Sequence, residues 1–308
     1  MNKKVNVLYY HRVYGLKDDI NLLCVTPTKF EQQMRYLKRN YDILRFEENW
    51  DNSDSGGMVV TFDDGYLDNF QYALPILEEL EIPATIFVSV GTLENNGELW
   101  WDELEKLILC VENCSGTISI EDEKYGCRWD VSTYELRLNC YYAIYYLMKN
   151  FADVKVREGW FEQLREQQNV DRYAREHFRT LDRKSCMELA GSRYITIGAH
   201  TVSHPSLAKM STKDQQIEVL SSKDYLEKLL KKEIDMFSYP FGMRETDYNK
   251  ETVEICKQSG IRKAASTVPG IWTAKCSNYE IPRNIVRNWG ISEFQYMIDN
   301  YWKTGVRE

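Results

Sequence analysis

Seven short apolar runs punctuate the chain, at 6–11, 42–45, 58–63, 84–90, 194–199, 236–239 and 263–266, and most stretches between them carry apolar residues at helical spacing. Strands that alternate with helices predict β/α units around a parallel sheet, because a parallel neighbour is reached only through a long crossover. A sandwich would instead show strand after strand joined by tight turns. The pattern therefore predicts an α/β chain folded as a distorted or incomplete (β/α) barrel. At 308 residues, one such domain can take up the whole of 1–308.

The intervening helices are placed by their ends. Phe30, Met34 and Leu37 put an apolar stripe on 28–40, with Thr26 or Thr28 as its cap. A second helix covers 67–80 and stops before Pro83. A third, 182–190, opens on Asp182 and closes at Gly191. Further helices read at 213–231, with Leu220, Leu226, Leu229 and Leu230 on an otherwise charged surface, and at 247–259, ending at Gly260. From 95 to 180 the rhythm breaks: long helical patterns at 98–111, 133–151 and 155–167, with a hairpin-like piece at 117–131, predict a mainly helical insertion in the barrel domain.

Charge narrows the partners. With 39 basic against 47 acidic residues the net charge is −8, which argues against nucleic acid or anionic lipid and for a neutral or cationic ligand. The eight cysteines, Cys114 among them, form no C-x-x-C pair and read as reduced, mostly buried thiols. The start is basic, but the apolar run that follows breaks at Asn6 and stops at His11, too short for an export core. No apolar stretch reaches membrane-spanning length, and a cytoplasmic location is the default expectation.

Two strand ends carry the chemistry. The run 58–62 leads directly into Asp63-Asp64-Gly65, so two carboxylates stand where a barrel strand gives way to its loop, the rim on which barrel active sites are built. Asp-Gly is also an ordinary turn dipeptide. The run 194–199 leads into His200-Thr201-Val202-Ser203-His204-Pro205, and half of the four histidines in the chain fall in these six residues. On one helical turn, residues four apart face the same side, so both imidazoles can reach one ion. Two histidines and Asp64 make a three-ligand site with positions left for water, and Asp63 is then free to take a proton from it. That donor set suits Zn²⁺ and would also accept Co²⁺, Ni²⁺ or Mn²⁺.

Thr61-Phe62-Asp63-Asp64-Gly65 and His200 to Pro205 resemble, in order, the first two motifs of the polysaccharide deacetylase (NodB-homology) family, T-F-D-D-G and H-S/T-x-x-H-P. Phe237-Ser238-Tyr239-Pro240-Phe241-Gly242 is similar to its third. The resemblance implies a hydrolase that removes acetyl from an N-acetylated sugar. It implies Asp63 as general base, Asp64, His200 and His204 as metal ligands, and a substrate and oxyanion region at Tyr239 and Phe241, with the Phe241 N–H as oxyanion donor.

Two departures stand out. Ser238 occupies the place of the family's third-motif arginine, and no histidine follows His204 to act as general acid. The opening strand Val7-Leu8-Tyr9-Tyr10-His11 resembles the circularly rearranged branch of the family, in which the acid-bearing strand comes first, and this implies His11 as general acid. Arg283 or Arg287 can replace the missing arginine by a bidentate contact to Asp63, with Arg283 the choice made here. Tyr66 and Trp101, with Trp100, Trp272 and Trp289, are candidates to stack on sugar rings. A sugar-binding protein that has lost the chemistry and a deacylase of a small or lipid-linked amino sugar stay open as alternatives.

Overall fold

The computed structural model describes residues 3–50, 56–95, 97–111, 116–121, 126–151 and 153–305. Two compact units are present: Met1–Glu94 with Thr180–Glu308, and Asn95–Arg179. The first is built on a seven-stranded sheet of β1 (Val5–Tyr10), β2 (Gly57–Phe62), β3 (Ala84–Val88), β4 (Ile195–Ala199), β5 (Met236–Ser238), β6 (Lys263–Ala265) and β7 (Asn284–Ile285). Their spatial order is β6-β5-β4-β3-β2-β1-β7, and every pairing is parallel.

The sheet curls into an incomplete barrel. Its two edges meet through one stretch of chain: Ile281 bridges Ala265 at the end of β6, and Asn284 pairs with Leu8 of β1. Every residue of β1, β2 and β3 is buried, as expected for parallel strands covered on both faces. Strand parity then sorts the side chains. Leu8, Tyr10, Met58, Val60 and Phe62 join the larger core, whereas Val5, Val7, Val59, Phe87, Met236, Ala265 and Ile281 form a separate cluster with Phe46, Trp50 and Trp272. Gly198 belongs to this crowding: a Cβ there would come within 2.5 Å of the Phe87 ring.

The helices are α1 (Pro27–Asn40), α2 (Leu74–Glu79), α3 (Trp100–Leu109), α4 (Tyr134–Asn150), α5 (Val154–Gln168), α6 (Arg183–Gly191), α7 (Thr212–Leu230), α8 (Lys250–Gln258) and α9 (Ile291–Thr304). Asp182 and Asn249 close capping boxes on α6 and α8. Two differences from the sequence reading have local causes. The run at 42–45 forms a single bridge, Ile43 to Met58, because the chain turns away to send Phe46 and Trp50 into the core, where the Trp50 indole caps the Arg45 carbonyl at 2.8 Å. The helix expected over 67–80 begins instead as a π turn, Asn69–Ala73, ahead of Pro75, which lacks the N–H that an α turn would need. Strand β7 and helix α9 were not anticipated.

In the second unit, α3, α4 and α5 accompany an antiparallel hairpin of Thr117–Glu121 with Gly126–Asp130. Seven cysteines are unbridged, and Cys114 lies outside the described residues. Among the described residues, no helix is long and apolar enough to cross a membrane.

Candidate metal centre and active site

The site grows out of the ends of β1, β2, β4 and β5 and the stretch before β7. Tyr10 pairs with Phe62, and the next step of that ladder, Asp63 N–H to the Tyr10 carbonyl at 3.0 Å, carries the pairing past the strand ends to the level of His11 and Asp63. Beyond it the backbone reverses through Asp64 and Gly65, with φ of 76° and 78°. Glycine suits the second position because a Cβ would press against the Val88 side chain at 3.0 Å as well as strain the backbone. Among the described residues, four of the nine non-glycine residues with left-handed φ are Asp64, Thr201, His204 and Phe241. Strain of this kind persists only where the surroundings over-determine it, and here it gathers around one point.

Asp64, His200 and His204 are all buried and present donor atoms within 4.8 Å of one another. Asp64 Oδ1 lies 3.5 Å from His200 Nε2 and 3.2 Å from His204 Nε2. An ion about 2.1 Å from each ligand of a tetrahedron spaces them about 3.4 Å apart, so the donors fit a small divalent cation. His200 Nδ1 lies 2.7 Å from the Ser238 carbonyl, which can only accept. That contact puts the proton on Nδ1 and leaves the Nε2 lone pair for the ion. Burial pushes the Asp64 carboxyl up, but the pull of the two imidazoles facing it outweighs burial and holds the group far below the usual carboxylate range. Burial lowers His204 to about 4 against the pull of Asp64, so its ring is neutral at pH 7, the form that ligates.

The helical turn expected to bring the two histidines together is absent. Residues 200–206 are a loop with left-handed backbone at Thr201 and His204, and it sets the rings edge-to-face with centroids 4.8 Å apart.

Asp63 meets different partners. Arg283, fully buried, donates Nη1 to Oδ1 at 2.8 Å and Nη2 to Oδ2 at 2.6 Å. The guanidinium is itself fixed by the Ser266 carbonyl at 2.9 Å, the Thr61 hydroxyl at 3.2 Å and the Ser238 hydroxyl at 2.8 Å, and lies over the Tyr9 ring at 4.7 Å. The small serine at 238 thus leaves the space that Arg283 enters and bonds to it. Arg287 instead donates to the Leu22 carbonyl. Burial raises the Asp63 carboxyl, but the Arg283 charge, helped by His200, brings it below its ordinary value. His11 stands at the end of β1, edge-on to Tyr9, with Asn69 holding its carbonyl at 2.8 Å. Burial lowers its pKa, and the charges of Asp64 and Asp63 resist that.

Phe241 packs its ring edge against His204 with centroids 4.7 Å apart, and its left-handed backbone is held by the Thr267 hydroxyl on its carbonyl at 2.5 Å. Tyr239 is buried, stacked on Tyr248 at 4.1 Å, with its hydroxyl on the Tyr279 carbonyl. Tyr66 is buried beneath the Arg12 guanidinium at 4.5 Å. Trp101 belongs to the second unit and is buried edge-on to Trp100. Tyr239, Tyr66 and Trp101 are at most 4% exposed, so their rings present no open face to solvent. Sequence reasoning missed Ser238, Thr61 and Tyr9 as partners of Arg283; the parity of β1 and β2, which puts Tyr9, His11, Thr61 and Asp63 on the side of Val7 and Val59, was the available signal.

An α/β barrel with a buried two-histidine, one-aspartate centre and a second, arginine-held carboxylate at its strand ends is the framework of a metal-dependent hydrolase. The polysaccharide deacetylase family profile matches residues 51–109 and 166–264, just over half of the chain, and the chain belongs to that family. Its activity class is metal-dependent hydrolysis of the N-acetyl amide of sugars. The Bacillus subtilis (strain 168) protein YxkH is 23% identical over 287 residues, which span 91% of this chain and 70% of that protein. The Streptococcus pyogenes deacetylase PplD, solved with acetate, is 18% identical over 98% of this chain and 99% of its own, with a TM-score of 0.61. IcaB from Ammonifex degensii is 16% identical, covers 96% of each chain and also gives 0.61. At such identities the solved structures establish the shared fold.

Proposed function

We propose that the chain removes acetyl from an N-acetylated sugar in a glycan or glycan precursor, with Zn²⁺ as its ion, Asp63 as general base, His11 as general acid and Arg283 as the residue that orients the base. The observation that carries this reading is the division of labour between adjacent carboxylates: Asp64 faces two imidazoles, and Asp63 faces a bidentate guanidinium. A divalent ion held by Asp64, His200 and His204 would supply Lewis-acid polarisation of the acetyl carbonyl and a more acidic water. Asp63 takes the proton from the attacking water while Arg283 keeps its oxygens in line. The Phe241 N–H is the proposed donor to the carbonyl oxygen as it gains charge. His11 gives a proton to the sugar nitrogen as the amide C–N bond breaks, and acetate and a free amine result. The two-nitrogen, one-oxygen donor set supports zinc, and cobalt, nickel or manganese would be accepted by it. The domain is proposed to be a single barrel over 1–308 with the helical stretch near 95–180 inserted in it.

The test is acetate release from N-acetylglucosamine oligomers by chelator-stripped protein, before and after zinc is restored. Activity should return with zinc, and its absence after reloading rejects the reading. In the same assay His11→Ala should lose more on the amide than on an activated acetate ester, whose leaving group needs little protonation. Equal losses would remove His11 from the acid role.

A further inference from the structure

The two histidine ligands are joined by Thr201, Val202 and Ser203, and local propensity does not favour the path these take. Thr201 and His204 hold φ at 66° and 52°, a conformation that costs energy for a threonine or a histidine. The end of β3 and the turn after it grip one side of the loop: Val90 donates to the Thr201 carbonyl at 3.1 Å, and Gly91 and the Ser89 hydroxyl reach the Val202 carbonyl at 2.8 Å and 3.2 Å. The other side is held from α7. Glu218, 6% exposed, accepts the N–H groups of Val202 at 2.8 Å and Ser203 at 2.9 Å on Oε2, and the Ser203 hydroxyl at 2.6 Å on Oε1. Both oxygens of one buried carboxylate are therefore spent on the residues that separate the two ligands.

We infer that Glu218 is a positioning residue of the metal centre, acting through the 201–203 loop to hold His204 at its distance from Asp64 and His200. The inference rests on the metal-centre reading above and extends it by one layer. Without Glu218, the N–H groups of Val202 and Ser203 lose their acceptor, and the strained loop loses one of its two holds. The His204 Nε2 then no longer has a fixed place 3.2 Å from Asp64. A glutamine at 218 can still accept both N–H groups on its carbonyl oxygen, and its amide can donate to a Ser203 hydroxyl that turns round to accept.

The experiment is zinc titration of the stripped full chain against a chromogenic chelator, with the visible spectrum of the cobalt form as a report on coordination geometry. Glu218→Ala should weaken zinc binding by about 10- to 100-fold, in the range of second-layer substitutions at metal sites, and should alter the cobalt spectrum. Glu218→Gln should restore both towards wild type. Val219→Ala, a core truncation on the same helix that removes no hydrogen bond to the loop, should lower thermal stability and leave zinc affinity unchanged. If Glu218→Ala does not fold, Glu218→Asp replaces it, because the shorter side chain cannot reach both N–H groups from α7, and a loss of about tenfold is expected. Unchanged affinity in the Ala or Asp variant, or an equal loss in Val219→Ala, overturns the inference alone. A wild-type chain that takes up neither zinc nor cobalt overturns the metal-centre reading and this inference with it.

Discussion

The barrel rim and the helical unit both draw carboxylates out of solvent, and Asp63 and Asp64 at the rim respond in the opposite way to Glu103 in the helical unit. In the helical unit Glu103 is paired with Arg165 at 2.8 Å, yet desolvation outweighs the pair and its carboxyl is pushed above the usual range. At the rim Asp63 and Asp64 are more deeply buried, and both lie below their ordinary value. The difference is in how strongly the cationic partners offset desolvation. Arg165 is shared between Glu103 and Glu162, whereas Asp63 has both prongs of Arg283 and Asp64 has two imidazoles. Asp68 shows that neither location in the barrel nor the number of donors is the cause, since burial raises it in spite of Arg12 at 2.9 Å, the Val13 N–H at 2.9 Å and the Asn69 amide at 3.1 Å. A buried ion pair is thus no mark of a site; a carboxylate that its partners hold below the ordinary range in spite of burial is.

The strongest way to break this contrast is at Asp63. Asp63→Asn should reduce acetate release by about 10²- to 10⁴-fold, the usual contribution of a general base, while zinc uptake stays at the wild-type level. Near-normal turnover would place Asp63 with the structural acids.

Arg283→Met comes next. It leaves Asp63 buried without its main cation, so the carboxyl pKa rises, and because Asp63 must be ionised to accept a proton, the acid limb of kcat/KM moves to higher pH. Breaking so buried a pair should also cost about 3–5 kcal/mol, read from urea unfolding. In the wild type the depressed carboxyl contributes stability above its unfolded pKa and loses it as pH falls through the folded value; the variant should lack that dependence. An unmoved acid limb would separate Arg283 from the base.

The smallest effect is expected at Glu103. Its folded pKa is raised, so its contribution is greatest below the unfolded value and is lost as pH rises through the folded one. Glu103→Gln keeps an acceptor for Arg165 and should stay within about 1 kcal/mol of wild type at pH 7, with acetate release unchanged. A larger loss in thermal unfolding would move Glu103 into the rim class and blur the comparison.

Much of the site was legible because it sits where periodic patterns end. The runs at 58–63 and 194–199 are strands, and parallel strands deliver their last residues to one rim, so the acid pair and the histidine pair had to meet there. The pairing of Arg283 with Asp63 was within reach for the same reason, since Ile281 and Arg283 keep one parity while Ser238 is too small to fill the space alone. Other features depend on contacts that no local pattern encodes. The 200–204 loop is non-helical because Glu218 and the turn after β3 hold it. Strand β7 is two residues long and exists through its partner β1, and aromatic side chains read the same in sequence whether they line a groove or fill a core.

The closure of the sheet has a consequence for the order of synthesis. Asp63 and the Arg283 guanidinium are 220 residues apart, and Arg283 is brought up beside β1 by the pairing of the first strand with the last. A nascent chain emerging from the ribosome would carry the three proposed cation ligands once residue 204 had appeared, and their supports at Glu218 and Ser238 later, but no guanidinium beside Asp63 until residue 283 followed. On the proposed mechanism, a product truncated before that arginine would lack the group that faces Asp63.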